Sequence, residues 1–317
     1  MTNLLDQIQW RTFPLPGDAA HSNVPLQIGQ VGDGSPLVLI TAGVHGDEGS
    51  WGAWAIRKLL ASTSADDLIG AIRVVPNANP LAMAADARNA PLDVLDLNRS
   101  FPGSANGSHT EVLAAILAAE AVAGCDVAID LHGGGSWCVN AFAFEIAGGE
   151  AISRAFGAPF IVSAPERTVT LTGYARTLGA TVAAVEMGGR SGDEEMWAAR
   201  IADGLRRALI VAGVLKGAIV DPPTHSIRVS ETRVLRPKSG GLFVPTLRAA
   251  DVGTIVPEGT LLGEVYDPST LMLKERLTAP CARTAILLLR PHIARLEGGA
   301  MTYVIAEPFT EGESGKD

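Results

Sequence analysis

An α/β fold is what this sequence predicts: a mostly parallel or mixed sheet flanked by helices, followed by a C-terminal all-β domain. Three observations predict it. Between Leu37 and Val214, short branched apolar runs alternate with longer runs of helical period, the pattern of a sheet covered on both faces. Pro222-Pro223 then breaks the helical pattern, and only short strands and turns follow. Glycine-rich turns close two of the apolar runs, and each turn carries a histidine. The expected boundaries are 1–221 for the first domain, 222–308 for the β-domain and 309–317 for a frayed tail.

The elements follow in order. Residues 1–30 hold Pro14, Pro16, Gly17, Pro25 and Gly29 around short extended pieces, which read as one or two edge strands. Leu37 to Ala42 is short, branched and opened by Gly34-Ser35-Pro36, as expected of a buried strand. The amphipathic run from Trp51 to Leu60 reads as a helix with Trp51 and Trp54 on its core side. Ile72 to Pro76 is the next strand, stopped by Asn77-Ala78-Asn79-Pro80, and a helical turn is expected across Leu81 to Ala87. From Arg88 to Asn106 no period is present, and a long irregular stretch inside a domain is more often functional than accidental. Ser108 to Ala123 is alanine-rich and helical, with Ser108 or Thr110 as N-cap. Strands are expected at 126–131, 141–146, 160–163 and 181–185, with helices at 172–178 and 193–214. The C-terminal strands are expected at 227–229, 233–235, 241–244, 261–265, 284–289 and 303–306.

Composition narrows the function classes. The chain has 317 residues, enough for a sizeable core in one large domain or two smaller ones. Its net charge of −9 argues against nucleic acid as a partner, since phosphates need a basic surface. Three scattered cysteines, Cys125, Cys138 and Cys281, are no disulfide framework, and a reducing cytoplasm is expected. No signal peptide is visible at Met1 to Trp10, and no apolar run reaches the ~18–20 residues of a membrane span, so a soluble protein is expected.

The chemistry gathers at the strand ends. His45 and Glu48 stand in the glycine turn after Leu37 to Ala42, at the sheet edge where open α/β proteins place their sites. Two intervening residues let a nitrogen and an oxygen aim at one point, which suits zinc. Alone, the pair reads as readily as loop hydrogen bonding. His132 ends a second apolar run, Val127-Ala128-Ile129, before Gly133-Gly134-Gly135. Three ligands, His45, Glu48 and His132, would leave a fourth zinc position open, as in a catalytic site; carboxypeptidase A has a two-His, one-Glu set. Asp130 either holds His132 as its carboxylate partner or points to the opposite face. Asp47 reads as a solvated loop carboxylate.

Four motifs now stand in sequence: His45-Gly46-Asp47-Glu48, Asp96-Leu97-Asn98-Arg99-Ser100-Phe101-Pro102-Gly103, Asp130-Leu131-His132 and Val185-Glu186-Met187-Gly188-Gly189. In order and spacing they resemble the succinylglutamate desuccinylase/aspartoacylase family of zinc deacylases, whose fold is carboxypeptidase-like, from about residue 20 to 308. The resemblance implies one zinc per chain and a small N-acyl amino acid as substrate. It implies Glu186 as the catalytic base, and burial at a strand end raises a carboxyl pKa in the sense a base near neutrality requires. The bland alternative for Glu186 is a salt bridge with Arg190. It further implies that Asn98 and Arg99 bind the substrate carboxylate, for which a planar guanidinium is well shaped. Arg88 is the match for the arginine that polarises the scissile carbonyl, although it lies further from Arg99 than in the family pattern. Arg176, ten residues before Glu186, matches another substrate-side arginine.

The C-terminal unit resembles a lipoyl/biotinyl-type sandwich through Gly240-Gly241-Leu242-Phe243, Val256-Pro257-Glu258-Gly259 and Ala279-Pro280. Met272 stands where such carriers present their lysine, with Lys274 two positions off, so a non-acylated domain narrowing the entrance is expected. His21, His109, His225 and His292 have no partner spacing and read as ordinary histidines, with His225 and His292, on the β-unit, the two candidates to reach over the cleft. Cys138 reads as a buried thiol. The rival readings are a peptide-cleaving zinc carboxypeptidase and a non-catalytic binding protein with a retained metal site.

Overall fold

The computed structural model describes residues 2–15, 24–163 and 167–309. His21 and the tail from Thr310 lie outside the described residues.

Strands β1 (Gln9–Phe13) and β2 (Leu26–Val31) form an antiparallel edge, and β2 runs antiparallel to β4 (Ala71–Val75). The centre is parallel: β4, β3 (Leu37–Ala42), β5 (Val127–His132) and β8 (Thr181–Gly188) lie side by side. There the sheet turns, because β6 (Val139–Glu145) runs antiparallel to β8 and then carries β7 (Phe160–Ser163) in parallel. The expected mostly parallel sheet is therefore mixed, with its parallel pairs concentrated around β3, β5 and β8. Strand-helix alternation gives the order of elements but not the direction of a strand, which is why the reversal at β6 does not show in the sequence.

Two layers cover the sheet. Helices α1 (Gly49–Ser62), α4 (Glu150–Ala155) and α6 (Glu194–Val211) bury Trp51, Ile56, Leu59, Ile152, Trp197 and Ile201 against Ile40, Ile129 and Val185. On the other face, α3 (His109–Ile116), its π-helical continuation to Val122, and α5 (Leu171–Thr177) bury Leu113, Leu117 and Leu171 against Leu39, Ala128 and Val182. Adjacent residues of one strand thus face opposite layers, and burial on both sides explains why β3 and β5 read as continuous apolar runs. A short helix, α2 (Pro80–Ala84), starts where Pro80 has no N–H to lose and Asn79 Oδ1 accepts from Ala82 N at 3.4 Å. Helix α3 begins with the Ser108 N–H donating to Glu111 Oε2 at 2.8 Å. Trp51 is buried as expected, but Trp54 is 43% exposed and donates from Nε1 to Glu195.

Beyond Pro222 the described elements are strands β9 (Ile227–Arg228), β10 (Arg233–Leu235), β11 (Gly241–Pro245), β12 (Ile255–Pro257), β13 (Leu261–Tyr266), β14 (Leu273–Thr278), β15 (Arg283–Leu289), β16 (Ala294–Leu296) and β17 (Tyr303–Ala306), with one 3₁₀ turn. β14, β13, β11 and β16 form a four-stranded antiparallel sheet. The others extend the large sheet: β15 pairs with β6 through Leu288↔Asn140 and Leu289↔Val139, β17 follows, and β9 lies beside β7. Tyr303, Ile305 and Phe243 share one buried cluster with Ala141 and Ala143. Among the described residues, no helix is long and apolar enough to cross a membrane.

Candidate active site

The chain leaves β3 through Gly43, at φ +73°, into the turn His45-Gly46-Asp47-Glu48. That turn seats on the segment after α2: Gly46 N donates to Arg88 O at 3.3 Å and Asp47 N to Ala87 O at 3.1 Å. Only glycine fits at 46, since a Cβ there would stand 2.1 Å from the carbonyl carbon of Ala82. Asp47 is buried rather than solvated, and its Oδ2 accepts from Ser136 N at 3.3 Å. The turn is folded inward, so its carboxylate meets the glycine loop after β5 instead of water.

His45, Glu48 and His132 are all buried, and their ligand atoms lie within 4.8 Å of one another. Nδ1 of His45 stands 3.0 Å from Glu48 Oε1, and Nδ1 of His132 stands 3.0 Å from Glu48 Oε2. The first approach is not a hydrogen bond: His45 Nδ1 is buried without a hydrogen-bond partner of acceptable angle. A nitrogen and a carboxylate oxygen so close, yet not aimed at one another, are placed as two ligands of one cation would be. The far nitrogens are backed by carboxylates, His45 Nε2 with Asp96 Oδ1 at 3.2 Å and His132 Nε2 with Asp130 Oδ2 at 2.7 Å. A carboxylate behind each imidazole is the usual support of a metal-binding histidine. Asp130, two positions before His132, shares its face, and its other oxygen accepts from Thr41 Oγ1 at 2.5 Å.

Electrostatics agree with a cation-binding cluster. Burial alone would raise the Glu48 pKa, but the two imidazoles hold it well below the carboxylate range. Burial would likewise lower His132, yet Asp130 and Glu48 lift it well above its ordinary value. Burial would raise Asp96, and His45 with Arg88 draws it down instead.

Strand pairing sets Glu186 beside His132, because β5 and β8 are parallel and in register there. Glu186 is not paired with Arg190, which binds Asp86 at 2.7 and 2.5 Å. Its Oε2 accepts instead from Asn140 Nδ2 at 2.8 Å. Burial, opposed by His132 and reinforced by Glu48, raises its pKa to about 7. Cys138 is buried nearby, its Sγ against Gly134 O at 2.8 Å.

These groups open into a cavity of about 820 Å³. Arg88, Asn98 and Arg99 line it with His45, Glu48, His132 and Glu186. Arg88 donates to Glu48 Oε1 at 3.0 Å and to Asp96 Oδ2 at 3.2 Å. The 3₁₀ turn Leu97–Arg99 is fixed by Asp96, whose Oδ1 accepts from Asn98 N at 2.9 Å. Asn98 Oδ1 accepts from Leu171 N at 2.9 Å, and its Nδ2 lies 3.4 Å from His132 Nε2. Arg99 donates to Asn98 O at 2.6 Å. Arg176 lines an adjoining cavity of about 400 Å³ instead, and Arg167, Thr170 and Thr172 are shared between the two. His225 and His292 do not line the larger cavity; His292 Nε2 lies 3.2 Å from Arg190 O.

Several residues in and around the cavity carry no signal in the sequence. Asn140 reaches Glu186 only through the antiparallel register of β6 and β8. Arg167, Ser230, Glu231, Thr232 and Phe309 arrive from irregular segments, and Phe309 was assigned by its sequence to the tail. Asp96 was visible within the Asp-Leu-Asn-Arg motif, but its role behind His45 was not.

A family model described as the succinylglutamate desuccinylase/aspartoacylase catalytic domain matches residues 35–211. The N-alpha-acetyl-L-2,4-diaminobutyric acid deacetylase of Halomonas elongata is 30% identical over 259 residues, 77% of this chain and 74% of that one. A succinylglutamate desuccinylase/aspartoacylase structure from Rhodobacter sphaeroides superposes with a TM-score of 0.81 at 26% identity, covering 96% of each chain. The product-bound ectoine utilization protein EutE (DoeB) of Ruegeria pomeroyi gives 0.81 at 28% identity, covering 95% of each.

Proposed function

The chain belongs to the succinylglutamate desuccinylase/aspartoacylase family, and from that membership we propose a zinc-dependent amidohydrolase that removes an acyl group from an N-acylated amino acid or a related small metabolite. The observation that carries the reading is the convergence of two Nδ1 atoms on the two oxygens of Glu48, each imidazole being backed by a carboxylate. The N-acetylated diamino acid deacetylated by the Halomonas relative falls within this class.

His45, Glu48 and His132 hold one zinc ion per chain. When bound, zinc polarises a carbonyl and lowers the pKa of water. Glu186, held by Asn140, takes the proton of the attacking water and delivers it to the leaving amine, and burial raises its pKa in the sense a base near neutrality requires. Arg88 faces the cavity beside Glu48 and receives the charge that develops on the carbonyl oxygen. Asn98 and Arg99 hold the substrate carboxylate, and Arg176 serves the far end of the substrate from the adjoining cavity.

Residues 1–221 form the catalytic domain in this reading, and 222–308 a non-acylated lipoyl/biotinyl-like domain. Met272 is exposed at the turn between β13 and β14, while Lys274 Nζ is engaged with Gly240 O at 2.8 Å. Residues 229–232 wall the cavity, which favours a small substrate over the open groove a carboxypeptidase needs. Three free cysteines support a cytoplasmic location. The test is metal analysis with turnover of N-acyl amino acids against peptides with a free carboxyl end. About one zinc per chain and turnover of the acyl amino acids are expected. Turnover of peptides alone would replace the reading with a carboxypeptidase, and turnover of neither would end it.

A further inference from the structure

Strand register sets two rows of side chains across the face of the sheet that carries Glu186. One row runs His132, Glu186, Phe142 and Phe160 on β5, β8, β6 and β7. The next runs Asp130, Ala184, Phe144 and Val162 on the same four strands. Each row starts with a titratable group at β5 and is apolar from β6 onward. Asn98 belongs to the β5 end, since its Nδ2 lies 3.4 Å from His132 Nε2, and Arg99 follows it in the same turn.

The apolar end lines the large cavity and is held firmly. Ala184, Phe144, Val162 and Ile146 form its floor, joined by Val229 from the C-terminal strands. Val162 and Val229 are 5% and 3% exposed, and the Phe144 ring is set edge-on to Phe142 at 5.2 Å. Apart from the groups at the metal end, the charged residues of the lining are Arg167 and Glu231, and both are exposed. Neighbouring strands lie about 4.8 Å apart, so the floor from Ala184 to Val162 spans roughly 10 Å. The single methyl of an acetyl group would cover a small part of it. A longer alkyl chain would release water along its whole length, whereas an ionised group would be desolvated there without a partner.

We propose that Ala184, Phe144 and Val162, with Ile146 and Val229 beside them, receive the acyl half of the substrate, so that the chain acts on N-acyl amino acids whose acyl group is an apolar chain longer than acetyl. The inference rests on the deacylase reading above and names the half of the substrate which that reading leaves open. Glu186 stands where the rows change character, and the scissile carbonyl lies beside it. The amine half then points toward Asn98 and Arg99, and the acyl half toward β6 and β7. Each methylene buried on the floor corresponds to about fourfold in affinity. The chain makes the same contacts before and during the reaction, so the gain falls on KM rather than kcat.

The experiment holds the amine half constant, as L-2,4-diaminobutyric acid, and varies the Nα-acyl group among acetyl, butyryl, hexanoyl and succinyl on the zinc-loaded enzyme. Wild type is expected to show kcat/KM rising about tenfold or more from acetyl to hexanoyl, chiefly through a falling KM, with succinyl below butyryl. Ala184→Leu fills the start of the floor and should cut the hexanoyl-to-acetyl ratio to about threefold or less. Val162→Thr keeps the shape but places a hydroxyl at the far end, and should lower hexanoyl against butyryl. Ratios are taken within one preparation, so a partly unfolded variant does not imitate the effect. A wild-type preference for acetyl or succinyl, or an unchanged ratio in Ala184→Leu, overturns the proposal. Calorimetric binding of hexanoate against acetate separates it from the deacylase reading. If no acyl amino acid is turned over but hexanoate binds about tenfold more tightly than acetate, and Ala184→Leu abolishes the difference, the deacylase reading fails and the apolar floor stands. Turnover without regard to chain length leaves the deacylase reading and removes the floor, and neither turnover nor a binding difference removes both.

Discussion

Asp130 and Glu186 occupy the same face of neighbouring strands, yet their substitutions should fail differently. Glu186→Gln keeps a polar group next to Asn140 but cannot accept a proton, so kcat should fall roughly 10²–10⁴-fold with zinc content intact. A fall of less than a few-fold, with metal in place, would remove Glu186 from the role of base. Asp130→Ala deprives both Thr41 and His132 of their acceptor. Zinc affinity, measured by competition with a chelator, should weaken about 10–100-fold. Arg99→Lys keeps a positive charge but loses the guanidinium fork, so the preference for an acyl amino acid over its amide should shrink. At this scale much of the site was legible. His45, Glu48, His132 and Glu186 end apolar runs beside glycines, where a charged residue has few structural reasons to stand. Asp47 was misread because a glycine-rich turn suggests solvent, and nothing local announces that Ser136 will cover it. Asn140 and Glu231 were invisible, because each depends on pairing between segments distant in the chain.

The elements matter through the few places where they nearly touch. Gly46 packs on the backbone of α2, and the Cβ of Gly46→Ala would be driven against Ala82 and Met83, displacing His45 and Glu48 together. Destabilisation of about 3 kcal/mol is expected in urea unfolding, with loss of zinc. Gly124→Ala is the comparison: its φ is +76° but nothing lies within 4 Å, so only about 1 kcal/mol of left-handed strain applies. Equal losses in the two variants would show that contact with α2 does not hold the turn. Helices α1 and α6 and strands β3, β5 and β8 were readable because burial on both faces makes the strands continuous and the helices amphipathic. Trp54, three residues from Trp51, lands at the edge of that layer, its ring under the guanidinium of Arg57 at 4.9 Å. The short strands β12, β14 and β16 had no such signature: β14 exposes most of its residues, and three-residue strands are below what periodicity resolves.

Across the whole molecule, the C-terminal strands are joined to the large sheet as well as packed on it. Because β15 pairs with β6 and Tyr303 shares a core with Ala141, urea unfolding followed by fluorescence and by far-ultraviolet dichroism should give coincident single transitions. Two separated transitions would show that the C-terminal strands fold on their own. The same pairing has a consequence for how the protein is made. Strand β6 leaves the ribosome long before β15 does, and at about 5–20 residues per second the gap lasts on the order of 10 s. β7, made soon after β6, covers Phe142 to Glu145, so for that interval only Val139 and Asn140 lack their neighbour on that edge, and an unpaired edge is a template for pairing with other chains. His45, Glu48 and His132 precede β6 in the chain, whereas Glu186, Ser230 and Glu231 arrive within the interval and Phe309 after it. A nascent chain therefore holds the three proposed zinc ligands well before the cavity wall is complete, which requires Phe309.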